Sequence, residues 1–133
     1  MEADGGERSE TFYATLTEQL LPVRGAGRRA RQVATEACLR WDLPLLTIPA
    51  CIAVSELVAN GVVHAGTMLT LTVSRRDGQV CVAVEDGSTH HPHLDTGRDF
   101  SGLSLVTAVA TAWGYYATDA GKVVWAWLGP VRR

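Results

Sequence analysis

Glu56, Asn60 and His64 recur at four-residue steps in Ser55-Glu56-Leu57-Val58-Ala59-Asn60-Gly61-Val62-Val63-His64-Ala65. On a helix that spacing stacks a carboxylate, a carboxamide and an imidazole in one column. Val54, Leu57, Val58, Val62 and Ala65 fall on a different face and form the apolar stripe that a buried side needs. A carboxylate accepts a proton, and an Asn carbonyl oxygen suits a hard cation such as Mg²⁺. The column thus has the makings of nucleotide chemistry, although a polar stripe is also what a solvated helix face shows.

A second carboxylate sharpens the reading. Val80, Val82 and Val84 alternate with Cys81, Ala83 and Glu85, and the period of two carries Asp86 onto the valine side. A carboxylate aimed at the core from a strand end needs a donor, either a ligand or a turn that caps it. Gly87–Phe100 follows without periodicity, as lids and binding loops do. His90, His91 and His93 in that loop have no fixed metal-ligand geometry. Ser101 then offers a helix cap before Gly102-Leu103, where backbone N–H groups suit phosphate.

These residues need elements to position them. Thr11–Gln19 alternates as a first strand. Pro22 opens a helical pattern with Val23, Ala26, Ala30, Val33, Ala34, Ala37 and Trp41 on one face, ended by Asp42-Leu43-Pro44. Pro49 suits the first position of the Glu/Asn/His helix, and Gly66 suits its left-handed cap. Leu69–Ser74 and Val80–Asp86 form a hairpin about Asp77-Gly78. Leu103, Val106, Ala110 and Trp113 mark a third helix, stopped by Gly114. Tyr115–Thr118 and Lys122–Leu128 close the chain as a second hairpin. The expected fold is α/β: a two-layer sandwich with a mixed, mostly antiparallel sheet and helices on one face. Residues 1–10 are expected to be disordered, and 11–130 to form a single domain.

Composition bounds the function. The chain has 133 residues and a formal net charge of −2, which gives no general electrostatic case for nucleic acid or an anionic membrane. No apolar run suggests a membrane span, and the polar N-terminus lacks a signal-peptide core, so a cytoplasmic protein is expected. Cys38, Cys51 and Cys81 read as reduced packing residues. Lys122 is the only lysine and reads as compositional bias, not as a functional signal. Arg24, Arg28 and Arg31 lie off the apolar stripe of their helix, as a solvated face or a partner-docking surface.

The order Glu56-x-x-x-Asn60, a strand ending in Asp86, a loop, and Gly102-Leu103 opening a helix resembles the GHKL ATPase superfamily. Ser-Glu-Leu-Val-x-Asn-x-Val-x-His-Ala is similar to its anti-sigma-factor serine/threonine-kinase branch of actinobacterial type, and the likeness runs from about Thr11 to Leu128. The resemblance implies the ATPase (Bergerat, histidine-kinase-like) fold. It implies ATP and Mg²⁺ as cofactors, with Asn60 ligating the metal and Glu56 as general base. Asp86 would accept a hydrogen bond from the adenine amino group, with Gly87 beside it. The backbone about Gly102 and Leu103 would meet the phosphates, with Gly97 of the lid loop as a further cofactor-binding position. His64 reads as support for the helix or the pocket rim. The implied protein is a homodimeric kinase that sequesters a sigma factor and phosphorylates a STAS-type anti-sigma antagonist, with no direct nucleic-acid or membrane contact. The alternative is a non-catalytic nucleotide- or partner-binding module of the same fold. Two positions depart from the family pattern: Ser88 stands where Gly is usual two residues after Asp86, and Val123 is read at the position of a hydroxyl-bearing Thr beside the adenine.

Overall fold

The computed structural model describes residues 13–88 and 101–130. The elements are β1 (Tyr13–Leu20), α1 (Ala26–Arg40), a 3₁₀ turn (Pro44–Leu46), α2 (Thr47–His64), β2 (Leu69–Arg76), β3 (Gln79–Asp86), α3 (Ser101–Val109), β4 (Ala112–Ala117) and β5 (Lys122–Leu128). The expected disorder of residues 1–10 and the strand start at Thr11 lie outside the described residues. So do Gly97, His90, His91 and His93.

Five strands make one sheet in the order β1-β2-β3-β5-β4. Among the described residues every pairing is antiparallel, which corrects the expectation of a mixed sheet. The physical reason is connectivity. β2–β3 and β4–β5 are hairpins, and the long excursions through the helices return each strand beside an antiparallel neighbour.

The core lies between one face of the sheet and the helices. Leu69, Leu71 and Val73 of β2, Val80, Val82 and Val84 of β3, and Val124, Ala126 and Leu128 of β5 are buried with Ala30, Ala34, Val54, Leu57, Val58, Leu103 and Val106 of the helices. Burying each large aliphatic side chain stabilises by about 1.5–3 kcal/mol. The small side chains of α1 and Gly61 of α2 let the layers approach closely. A Cβ on Gly61 would stand 2.8 Å from Leu69 Cδ2. Helix α2 stops where the sequence indicates. Gly66 takes φ +65°, and its N–H donates to Gly61 O at 3.1 Å.

Three boundaries differ from expectation. Helix α1 begins at Ala26, not Pro22, because residues 21–25 form turns in which Ala26 N–H donates to Val23 O; Arg29 N–H to Gly25 O is the first α-type bond. Pro49 is not the first residue of α2, which begins at Thr47. It is the third, still inside the first turn, where a missing N–H costs nothing. Trp113 and Gly114 belong to β4, not to α3. Gly114 is there for close approach: a Cβ would meet the Trp125 ring at 2.7 Å. The Trp113 indole instead reaches back to α3, donating to Thr107 Oγ1 at 2.7 Å.

The stretch Pro44–His64 also corrects the reading of apolar runs. It has 21 residues, and an 18-residue window within it has a mean hydropathy of 1.7, long and apolar enough by those measures to cross a membrane. In the fold, one side packs into the core through Ala50, Ala53, Val54, Leu57, Val58 and Gly61, while Leu45, Ile48 and Val63 are exposed.

All three cysteines are free. Burial pushes the Cys38 thiol up, and pushes Cys81 up to about 11. Both stay protonated near neutrality, as packing residues and not nucleophiles.

Candidate functional site

Asp86 ends β3 on the helix-facing side of the sheet and is buried, as the alternation requires. Its carboxylate is held from two directions. Oδ1 accepts the Ser88 backbone N–H at 2.8 Å, closing a tight turn. Oδ2 accepts Lys122 Nζ at 2.7 Å, and the two side chains are each only 2% exposed. Two further contacts fix the backbone of the turn. Gly87 N–H donates to Thr67 Oγ1 at 2.7 Å. Gly121 is packed so closely that a Cβ on it would lie 1.9 Å from Asp86 O. Strand register explains the ion pair, since Asp86 stands directly opposite Lys122.

That register also corrects one sequence reading. Val123 stands opposite Glu85, so it belongs to the other face of the sheet. The residue beside Asp86 is Lys122. Sequence reasoning passed over it as a matter of composition. Its signal was available in the alternation of β5, where Lys122, Val124, Ala126 and Leu128 share the buried face.

The column on α2 is different in character. Glu56 and Asn60 are half-buried and His64 is exposed. Glu56, Asn60 and His64 make no side-chain hydrogen bond or ion pair among the described residues. Half-buried polar groups left unengaged are available to a ligand or to water. Helix α2 runs toward the Asp86 end of the sheet. Thr67, three residues beyond His64, accepts the Gly87 N–H and so ties the helix exit to the Asp86 turn. The fold therefore places the C-terminal end of the helix that carries Glu56, Asn60 and His64 beside the Asp86 turn.

The remaining expected residues divide. Leu103 is 1% exposed, and its side chain is core. Any contact it makes with a phosphate is through its backbone, at the start of the nine-residue helix α3. Gly87 is exposed in the turn that follows Asp86. Gly102 lies in the first turn of α3, which packs on α2.

A separate surface lies between α1 and α2. Val23, Arg24, Gly27, Arg31, Ala59 and Val62 are among the residues lining a groove of about 260 Å³. Arg28 and Arg31 border an adjoining hollow of about 400 Å³. Arg24, Arg28 and Arg31 are exposed, and Arg31 Nη1 donates to Ser55 Oγ at 3.1 Å. Ser55 and Ala59 look into this groove, whereas Glu56 and Asn60 are one position further round the helix. Helix α2 thus serves two surfaces with two faces.

Among the described residues, no group of His, Cys, Asp and Glu has the arrangement of a metal cluster. A magnesium ion held by Asn60 is compatible with this, because Mg²⁺ takes few protein ligands and keeps waters and phosphate oxygens. Comparison with protein-family models finds no match, and comparison with curated proteins finds none either.

Proposed function

We propose that the chain is a nucleotide-binding regulator of the anti-sigma kinase type, acting in the cytoplasm on ATP with Mg²⁺. The observation that carries the reading is the tie between the Asp86 turn and the exit of α2. The turn holds a buried, ionically paired carboxylate, and the helix carries Glu56 and Asn60 half-buried with no side-chain partner among the described residues. In this reading Asp86 meets the adenine, Asn60 a phosphate-bound Mg²⁺, and Gly102-Leu103 the phosphates. Glu56, one turn before Asn60, orients and deprotonates the attacking hydroxyl. Phosphoryl transfer asks for little beyond such positioning, charge neutralisation and a carboxylate at the nucleophile. The γ-phosphoryl passes to a Ser or Thr hydroxyl of an anti-sigma antagonist, and the hydroxyl proton to Glu56. The arginine-lined groove between α1 and α2 is the surface offered to a sigma factor or its antagonist, with charge complementarity aiding encounter.

Glu56→Gln tests the enzymatic part. It keeps shape and hydrogen bonding but accepts no proton. It is expected to bind Mg–ATP nearly as well as wild type while losing transfer to a cognate antagonist by about 10²–10⁴-fold. Transfer at the wild-type rate contradicts the general-base role. Nucleotide binding by wild type with no transfer turns the assignment to a non-catalytic nucleotide-binding module.

A further inference from the structure

We propose that Thr67 is a positioning residue of the nucleotide site: its side chain holds the Asp86 turn at a fixed setting against α2, so that one ligand engages both elements at once. The inference rests on the nucleotide-binding reading and adds to it the residue that joins its two ends. Thr67 Oγ1 accepts the Gly87 N–H at 2.7 Å and donates to Met68 O at 3.3 Å. Each side of that bond is built into its own element. On the α2 side, Gly61 O accepts the Ala65 and Gly66 N–H groups at 2.9 and 3.1 Å, and Gly66 turns the chain at φ +65°. Gly61 follows Asn60 directly, so Thr67 is set from the turn of helix that carries Asn60. On the other side, Asp86 Oδ1 accepts the Ser88 N–H, Oδ2 accepts Lys122 Nζ, and a Cβ on Gly121 would lie 2.7 Å from Gly87 Cα. Asp86 and Gly87 are thus set as one piece against β5, and Thr67 fastens that piece to the helix.

Two features separate this contact from an ordinary turn bond. It is not part of the hairpin ladder. The β2–β3 pairing ends with Thr70 opposite Glu85, and Thr67 meets Gly87 beyond that end, through its side chain. The contact is also open to water, since Gly87 is exposed and Thr67 half-buried. Water replaces an exposed hydrogen bond at little cost, so the bond adds little to folding stability. What it fixes is geometry. A ligand that must reach two elements binds best when both are already set, because ordering them on binding costs affinity.

The test measures binding of Mg–ATP and magnesium triphosphate to the full-length protein by calorimetry. Triphosphate engages the phosphate end alone, whereas ATP engages both ends, so wild type is expected to prefer ATP. Thr67→Val keeps the branched shape and loses the hydroxyl. It is expected to reduce that preference by about two- to tenfold, the scale of one hydrogen bond, with triphosphate affinity and the urea midpoint unchanged. Thr67→Ser, which keeps the oxygen, is expected to retain the wild-type preference. Thr67→Ala drops the same oxygen and should behave as Thr67→Val does, which guards against a Val variant that does not fold. Variants without the hydroxyl that keep the wild-type preference overturn the inference and leave the nucleotide reading standing. So does a loss shared equally by both ligands, the mark of a merely structural role, or a Thr67→Ser protein that behaves as Thr67→Val does. If wild type binds neither ligand at millimolar concentration, or binds both equally, the nucleotide reading falls and this inference with it.

Discussion

Among the described residues, ion pairs form under opposite conditions, buried and exposed. Asp86 and Lys122 pair at 2% exposure each, whereas Arg40 pairs with Glu36 on the surface of α1 at 55% exposure each. Glu18 and Arg29 make a two-pronged contact between β1 and α1, also in solvent. An exposed pair gains little because water already solvates both charges. A buried pair has given up that solvation, and its two members depend on each other and on nearby hydrogen bonds. The Arg40–Glu36 and Arg29–Glu18 pairs lie where water reaches both partners. The end of β3 holds charges that the fold must support at a cost, and such a place is a candidate for function.

The comparison is broken most directly at Lys122. Lys122→Met leaves Asp86 buried without its cation and is expected to destabilise by about 3–5 kcal/mol in urea unfolding. Adding Asp86→Leu should restore much of that loss, because two apolar groups replace two charges together. A single variant with unchanged stability would place Lys122 on the same footing as the surface pairs.

Gly61 gives a smaller effect of pure packing. Gly61→Ala drives a Cβ to 2.8 Å from Leu69 Cδ2. The overpacking penalty of about 1–3 kcal/mol exceeds the gain of about 1 kcal/mol in helix propensity. In a Leu69→Ala background the clash is gone, so the same change should become stabilising. A stabilising Gly61→Ala in the wild-type background would show that the helix and sheet are less tightly set.

The smallest effect belongs to Glu18. Hydrogen bonding from the Arg29 guanidinium holds its carboxyl below the ordinary carboxylate range. A lowered folded-state pKa means that the pair's contribution is present above Glu18's ordinary pKa and fades as pH falls through its lowered one. An NMR titration should show Glu18 returning to the ordinary range in Arg29→Ala, with no resolvable change in the urea midpoint at about 0.15 M salt. A substantial shift in that midpoint would remove the contrast with the buried pair.

Much of the layout was legible in the sequence because it rests on local rules. The valines of β3 placed Asp86 on the buried side, Gly66 marked the end of α2, and Asp77-Gly78 marked the β2–β3 turn, where Asp77 takes φ 54°. What escaped depends on pairing between distant segments. Trp113 fits a helical period as well as a strand, and only its place opposite Ala126 and the room Gly114 leaves for Trp125 decide the matter. The partner of Asp86 was likewise invisible to spacing, because residues 86 and 122 meet only through strand register. The Glu56, Asn60 and His64 column was legible from period alone, as one helix carries it.

The central claim is that Asp86 and Asn60 serve one nucleotide, the first at the base and the second at the phosphates. Calorimetry of Asp86→Asn and Asn60→Ala against Mg–ATP and magnesium triphosphate tests it most directly. Asp86→Asn keeps a carbonyl for Lys122 and is expected to weaken ATP by about 1–3 kcal/mol, with triphosphate unaffected. Asn60→Ala is expected to weaken both ligands together and to abolish the dependence on Mg²⁺. Equal losses for ATP and triphosphate in Asp86→Asn, or no heat of binding for wild type at millimolar ATP, would contradict the account.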